Sequence, residues 1–132
     1  MQLGICQIAQ GFGYDDVSDG QVFDEEIRCG IRADELGYDV ISMVEHHFED
    51  YAFCPDNFVY LAHLAAKTRR IRLMTGAVIV PWNTQPLRVA EKAALLDELS
   101  GGRFILGLGR GLARREYVQM GIPMDESRER FD

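Results

Sequence analysis

The sequence predicts an α/β protein built on a parallel sheet. Three observations carry that prediction. Four short apolar runs alternate with amphipathic helical stretches. The runs are apolar at consecutive positions, the pattern of strands covered on both faces. The strand–helix unit recurs roughly every 30 to 35 residues, the length of one parallel supersecondary unit.

Residues 3–8 form the first strand, a short apolar run closed by Gly11 and Gly13. Ser18 and Gln21 have the spacing of a capping box, and Asp24, Glu25 and Glu26 favour a helix N-terminus. Phe23, Ile27, Gly30 and Ile31 share one face of that helix, and Gly37 ends it. Residues 38–44 are the second strand. Pro55 is expected to open the second helix, with Phe58, Leu61, Ala62 and Ala65 inward. Residues 71–80 read as one long third strand. Pro86 opens the third helix, with Val89, Ala90, Ala93 and Leu96 inward, and Ser100-Gly101-Gly102 stops it. Residues 104–108 are the fourth strand, and a further helical pattern covers residues 126–131.

Composition narrows the classes of function. The 132 residues are 47% hydrophobic and 27% charged, as in an ordinary globular chain. Fourteen Lys and Arg against 21 Asp and Glu give a net charge of −7, and no basic cluster is present. That balance argues against nucleic acid or an anionic membrane as partner. No apolar run approaches the roughly 18 residues of a membrane span. Met1-Gln2-Leu3-Gly4 lacks the basic region and cleavage site of an export signal. Cys6, Cys29 and Cys54 are few, odd in number and far apart. They predict small buried hydrophobes in a reducing, cytoplasmic setting rather than a disulfide framework.

Three segments carry chemistry. Glu45-His46-His47 follows the second strand, at the end of the sheet where parallel folds build sites. A histidine there either hydrogen-bonds within the core or supplies an acid–base group, and the residues alone leave both open. Alternating strand geometry keeps adjacent histidines from chelating one metal unless the backbone bends, so zinc is a weak reading and no metal site is expected. Gly107-Leu108-Gly109-Arg110-Gly111 follows the fourth strand. It fails the dinucleotide fingerprint, because Leu112 and Arg114 stand where the third glycine is required. An open glycine turn with Arg110 remains, suited to a phosphate, and Arg128 and Arg130 lie further along the chain. Arg114 and Arg115 read as a solvated helix start, a reading Glu116 shares without being fixed to it. Gly76-Ala77-Val78 breaks the third strand with small residues, giving either a bulge under a flat ligand or tight helix packing.

Five pieces, in order and at matching spacing, resemble the N-terminal part of the bacterial luciferase-like, flavin-dependent monooxygenases. They are Leu36-Gly37-Tyr38-Asp39, Glu45-His46-His47-Phe48, Thr75-Gly76-Ala77-Val78 with Pro86-Leu87-Arg88, the run from Leu96 to Phe104, and Gly107 to Gly111 leading to Ser127-Arg128. The resemblance implies the first half of a (β/α)₈ barrel over residues 1–132, of which a closed barrel needs about 250. It implies reduced FMN at the C-terminal mouth, His46 as the catalytic histidine, and Glu45, Ala77, Val78, Gly109, Arg110 and Arg128 as cofactor-binding residues. The family often carries a non-proline cis peptide at Ala77-Val78's position, and it completes its phosphate contacts beyond position 132. Gly109 stands where luciferase large subunits carry a thiol, which argues against light emission. The implied activity inserts one oxygen atom from O₂ into a small organic substrate, in a homo-oligomer fed by a separate flavin reductase. A deazaflavin-dependent dehydrogenase and a non-catalytic half-barrel partner subunit are the alternatives.

Overall fold

The computed structural model describes residues 1–13 and 16–132. Along the chain come β1 (Gly4–Gln7), α1 (Asp19–Leu36), β2 (Val40–Met43), α2 (Asn57–Ala65), β3 (Arg72–Thr75) and β4 (Val78–Ile79). They are followed by α3 (Pro86–Ser100), β5 (Phe104–Ile105), β6 (Leu108–Gly109), α4 (Arg114–Gln119) and α5 (Ser127–Phe131). Single 3₁₀ turns occupy Val80–Trp82 and Met124–Glu126. Strands β1, β2, β3 and β5 pair in that order, all parallel, while β4 and β6 form a separate parallel ladder.

The alternation of strand and helix is as the sequence predicts, but the third and fourth strands are each split in two. Gly76 donates its N–H to the Met43 carbonyl at 2.8 Å, and the Gly76–Ala77 peptide is then cis. The ladder restarts where Val78 N–H meets the Gly107 carbonyl at 2.8 Å. Gly107 makes the matching break between β5 and β6. A Cβ there would lie 2.1 Å from the Thr75 carbonyl oxygen, so only glycine fits the crossing.

The sheet is covered on one face, not two. Ile5, Ile41, Leu73 and Phe104 share a register row and join the core packed against the helices. The opposite row, Cys6, Ser42, Met74 and Ile105, is exposed or half-buried. Consecutive apolarity reflects a second face that a closed barrel turns towards its axis. Cys6 stands on this uncovered face and Cys29 is exposed on α1, so neither is the buried hydrophobe expected of it. Cys54 is buried, and burial pushes its thiol up to about 12.

Helix ends follow local chemistry. Ser18 and Gln21 form the reciprocal capping box on α1, and Gly37 closes it in the left-handed conformation. Pro86 opens α3 and Gly101 closes it. Pro55 does not open α2. Asp56 does, accepting the N–H groups of Phe58 and Val59 at 3.0 and 3.2 Å, because a carboxylate there satisfies donors that a proline cannot. Phe58, Leu61, Ala65 and Leu96 are buried as expected. Ala90 is exposed, since the inward stripe of α3 runs through Val89, Ala93 and Leu96.

Two charged side chains tie the strands' entry ends. Asp34 accepts the backbone N–H groups of Arg69, Arg70 and Ile71 at 3.0, 2.9 and 2.7 Å. Partial burial opposes its charge, but those donors, with the Arg70 charge, outweigh it and hold the carboxyl below the usual carboxylate range. Arg103 donates to the carbonyls of Ala65, Thr68, Ile71 and Ser100, satisfying the C-terminus of α2. Among the described residues, no helix is long and apolar enough to cross a membrane.

Candidate active site

Parallel strands deliver the segments that follow them to one end of the sheet. There the split third and fourth strands meet the loop after β2. Glu45 is the junction. Its carboxylate is 5% exposed and accepts four donors. Oε2 takes the Ile79 N–H at 3.1 Å; Oε1 takes Trp82 Nε1–H at 2.6 Å, Asn83 Nδ2–H at 3.3 Å and His47 Nε2 at 3.3 Å. Sequence reasoning set Glu45 among the cofactor-binding residues. Both its oxygens are spent inside the protein, so it bears on the site by fixing β4 and the 3₁₀ turn.

Asn57, at the first position of α2, braces the same place from the helix side. Its Nδ2 donates to the Met43 carbonyl at 3.2 Å and the Ala77 carbonyl at 3.1 Å. Val78 is buried in the core, so it offers the site only backbone, whereas Ala77 is half-buried. Gly109 lies against Ala77, and a Cβ on it would sit 3.1 Å from the Ala77 methyl. The small residues at 77 and 109 thus meet at the start of the two-stranded ladder, with Ile79 Cδ1 3.3 Å from the same point.

The two histidines diverge, as alternating geometry requires. His47 turns inward to Glu45 and stands edge-on to Trp82, ring centres 5.8 Å apart. His46 turns outward, with 26% of its side chain exposed and Tyr51 edge-on at 6.2 Å. Its Nδ1 is 2.9 Å from Glu116 Oε1, and the same oxygen accepts the His47 N–H at 2.7 Å. Both histidines thus hydrogen-bond to carboxylates, and His46 is the more exposed, 26% against 11%.

Arg110 is exposed on the turn after β6, and its Nη1–H donates to Ser127 Oγ at 3.0 Å. Ser127 is buried and Arg128 beside it is exposed. The fold thereby brings the Arg110 turn to the start of α5, next to Arg128. Arg130 is engaged by Glu126 at 2.7 Å. Arg114 and Arg115 are exposed as expected, Arg115 pairing with Glu49 at 2.6 Å. Glu116 breaks that reading: it is 2% exposed. Tyr117, next to it, donates its hydroxyl to the Arg110 carbonyl and packs edge-on to Trp82 at 5.3 Å. Sequence reasoning missed Asn57, Trp82 and Tyr117. No local pattern marks them, because each acts on a partner from another strand–helix unit. A cleft of about 550 Å³ between α1 and α2 contains none of the candidate residues.

The match to known proteins follows this geometry. The model of the luciferase-like monooxygenase family matches residues 1–132. The chain belongs to that family. The alkanal monooxygenase alpha chain of Photorhabdus laumondii subsp. laumondii is 32% identical over 111 residues, 84% of this chain and 31% of its own. The oxygenase component of the flavin-dependent trigonelline monooxygenase of Acinetobacter baylyi is 39% identical over 106 residues, 80% of this chain and 29% of its own. The crystal structure of the monooxygenase RslO1 from Streptomyces bottropensis superposes with a TM-score of 0.91 at 45% identity, covering 100% of this chain and 40% of that one. The chain spans under a third of the length of these two curated relatives. Its fold is a partial barrel of the luciferase-like kind, in a family of oxidoreductases.

Glu45 sets a testable condition on the site. In Glu45→Leu, the Ile79, Trp82 and Asn83 donors lose their acceptor inside the protein. Chemical denaturation should show a loss of about 2–4 kcal/mol, with a smaller loss for Glu45→Gln. The emission of Trp82, the single tryptophan, should shift in the leucine variant. Unchanged stability and emission would show that Glu45 does not hold the junction.

Proposed function

We propose that the full-length protein is a reduced-FMN-dependent monooxygenase. It inserts one atom of O₂ into a small organic substrate, and a separate reductase supplies the reduced flavin. Residues 1–132 contribute the first half of the barrel. The observation that carries this reading is that helix α4 ties His46, through Glu116, to the Arg110 turn, through Tyr117.

The residues present fit the flavin at both of its ends. A flat ring needs a surface without protruding side chains, which Ala77, Gly109 and the backbone of Val78 supply. A phosphate needs charge and donors, and the Arg110 guanidinium donates to the buried hydroxyl of Ser127, whose neighbour along the chain is the exposed Arg128. When bound, reduced flavin supplies the two electrons that split O₂ between the substrate and water. The chain's own residues do the rest. Arg110 and Arg128 hold the phosphate and set the register of the ring. Asn57 and Glu45 keep the backbone beneath the ring in place. His46 holds and moves a proton at Nε2, the ring nitrogen facing outward. Support for a separate reductase comes from the trigonelline relative, which is named an oxygenase component.

A homo-oligomer belongs to the same proposal. Val59, Leu95 and Leu99 are 68%, 61% and 63% exposed and border a groove between α2 and α3. Apolar side chains gathered this way mark an interface, and a second copy of the chain is the occupant we assign.

Two measurements on the full-length protein test these readings. His46→Ala should lower turnover at least about 100-fold while FMN affinity stays within about threefold, as expected for loss of an acid–base group. Equal turnover in the variant would remove His46 from the reaction. Leu95→Glu combined with Leu99→Glu should halve the mass seen in sedimentation, and an unchanged mass would remove this face from the interface.

A further inference from the structure

We infer that Glu116 is a positioning residue for His46, an inference that rests on the monooxygenase reading of this site. Glu116 is 2% exposed, and among the described residues its ion-pair partner is His46, not a lysine or arginine. A carboxylate is kept inside a protein only where hydrogen bonds or an opposite charge replace its water. Here two donors converge on one oxygen, His46 Nδ1 at 2.9 Å and the His47 N–H at 2.7 Å.

The geometry has a consequence for the proton. An ionised carboxylate only accepts, so the contact requires a hydrogen on His46 Nδ1. A neutral imidazole with that hydrogen carries its lone pair on Nε2. Nε2 lies on the ring edge away from Glu116, the edge that the half-exposed side chain presents outward. Glu116 therefore selects the tautomer that takes a proton from the site, and it fixes the plane of the ring. The bond to the His47 N–H locks the carboxylate to the same backbone that carries His46, so the two cannot drift apart. This is the arrangement of a base oriented by a third group.

Its neighbours fix Glu116 in turn. Helix α4 has six residues, too few to be stable alone. It is pinned by Tyr117 to the Arg110 carbonyl, by the Trp82–Tyr117 ring contact and by Arg115 to Glu49. Glu116 and Tyr117 are consecutive: one holds the imidazole, the other the turn assigned to the phosphate. Glu116→Gln keeps an oxygen that accepts both hydrogen bonds. Glu116→Leu keeps none.

The test uses the full-length protein with reduced FMN, and Glu116→Gln and Glu116→Leu made in both wild-type and His46→Ala backgrounds. We expect Glu116→Leu to lower kcat about 10- to 100-fold with KM and FMN affinity within about threefold, and Glu116→Gln to recover most of the rate. In the His46→Ala background Glu116→Leu should have no further effect on kcat. Nitrogen NMR should place the hydrogen of His46 on Nδ1 in the wild type and in Glu116→Gln. The same fold-loss with and without His46, or a wild-type His46 with Nδ1 bare, would overturn the inference, and the second result needs no variant to fold. If His46→Ala leaves turnover unchanged while Nδ1 carries the hydrogen, the catalytic reading fails and the pairing stands.

Discussion

The mouth of this partial barrel depends on a buried carboxylate. Glu45 follows β2, yet its carboxylate is met by Ile79 of β4, by Trp82 and Asn83 at the end of the 3₁₀ turn, and by His47 two residues on. Burying a carboxylate without such partners costs several kcal/mol, so those segments are held where the acceptor needs them. The constraint has a geometric product. With Ile79 and Trp82 fixed to Glu45, and Ala77 fixed to Asn57, the β4–β6 ladder stands across the end of the sheet. Ala77 and Gly109 meet at its start, with Ile79 Cδ1 beside them.

Glu116 repeats the device from the other side. The pair Glu45–His47 faces inward and the pair His46–Glu116 faces the opening, because successive residues point apart. One histidine is thereby structural and the other available. Two carboxylates drawn from distant parts of the chain sort an adjacent pair of identical side chains into different roles.

Much of the fold is legible in the sequence because it is set locally. Ser18, Gly37, Pro86 and Gly101 act on their own helix ends, and each does what its chemistry predicts. What escapes is set by contact across the chain. Residues 71–80 read as one apolar run in which Gly76-Ala77-Val78 marks a break; what the sequence does not show is its cause, the crossing of Gly107 over Thr75, 32 residues away. The apolar inner row predicts two covered faces, but coverage depends on which elements are present. The site divides in the same way. His46, Ala77, Gly109, Arg110 and Arg128 stand out as residue types at strand ends, reinforced by the family pattern. Glu116 follows two arginines on a helix start, and nothing in that tripeptide separates the buried acid from its solvated neighbours. Its partner, 70 residues earlier, is what gives it a role.

The account treats the chain as one side of a site where a flat ring lies on Ala77 and Gly109 and a phosphate lies between Arg110 and Arg128. The most direct test is an anaerobic titration of the full-length protein with reduced FMN, reduced riboflavin and a reduced deazaflavin, repeated with Arg110→Ala. The account predicts that FMN binds most tightly, that riboflavin binds at least about tenfold more weakly for want of a phosphate, and that Arg110→Ala removes most of that difference. Equal affinity for FMN and riboflavin, or tight binding of the deazaflavin with none of FMN, would contradict it.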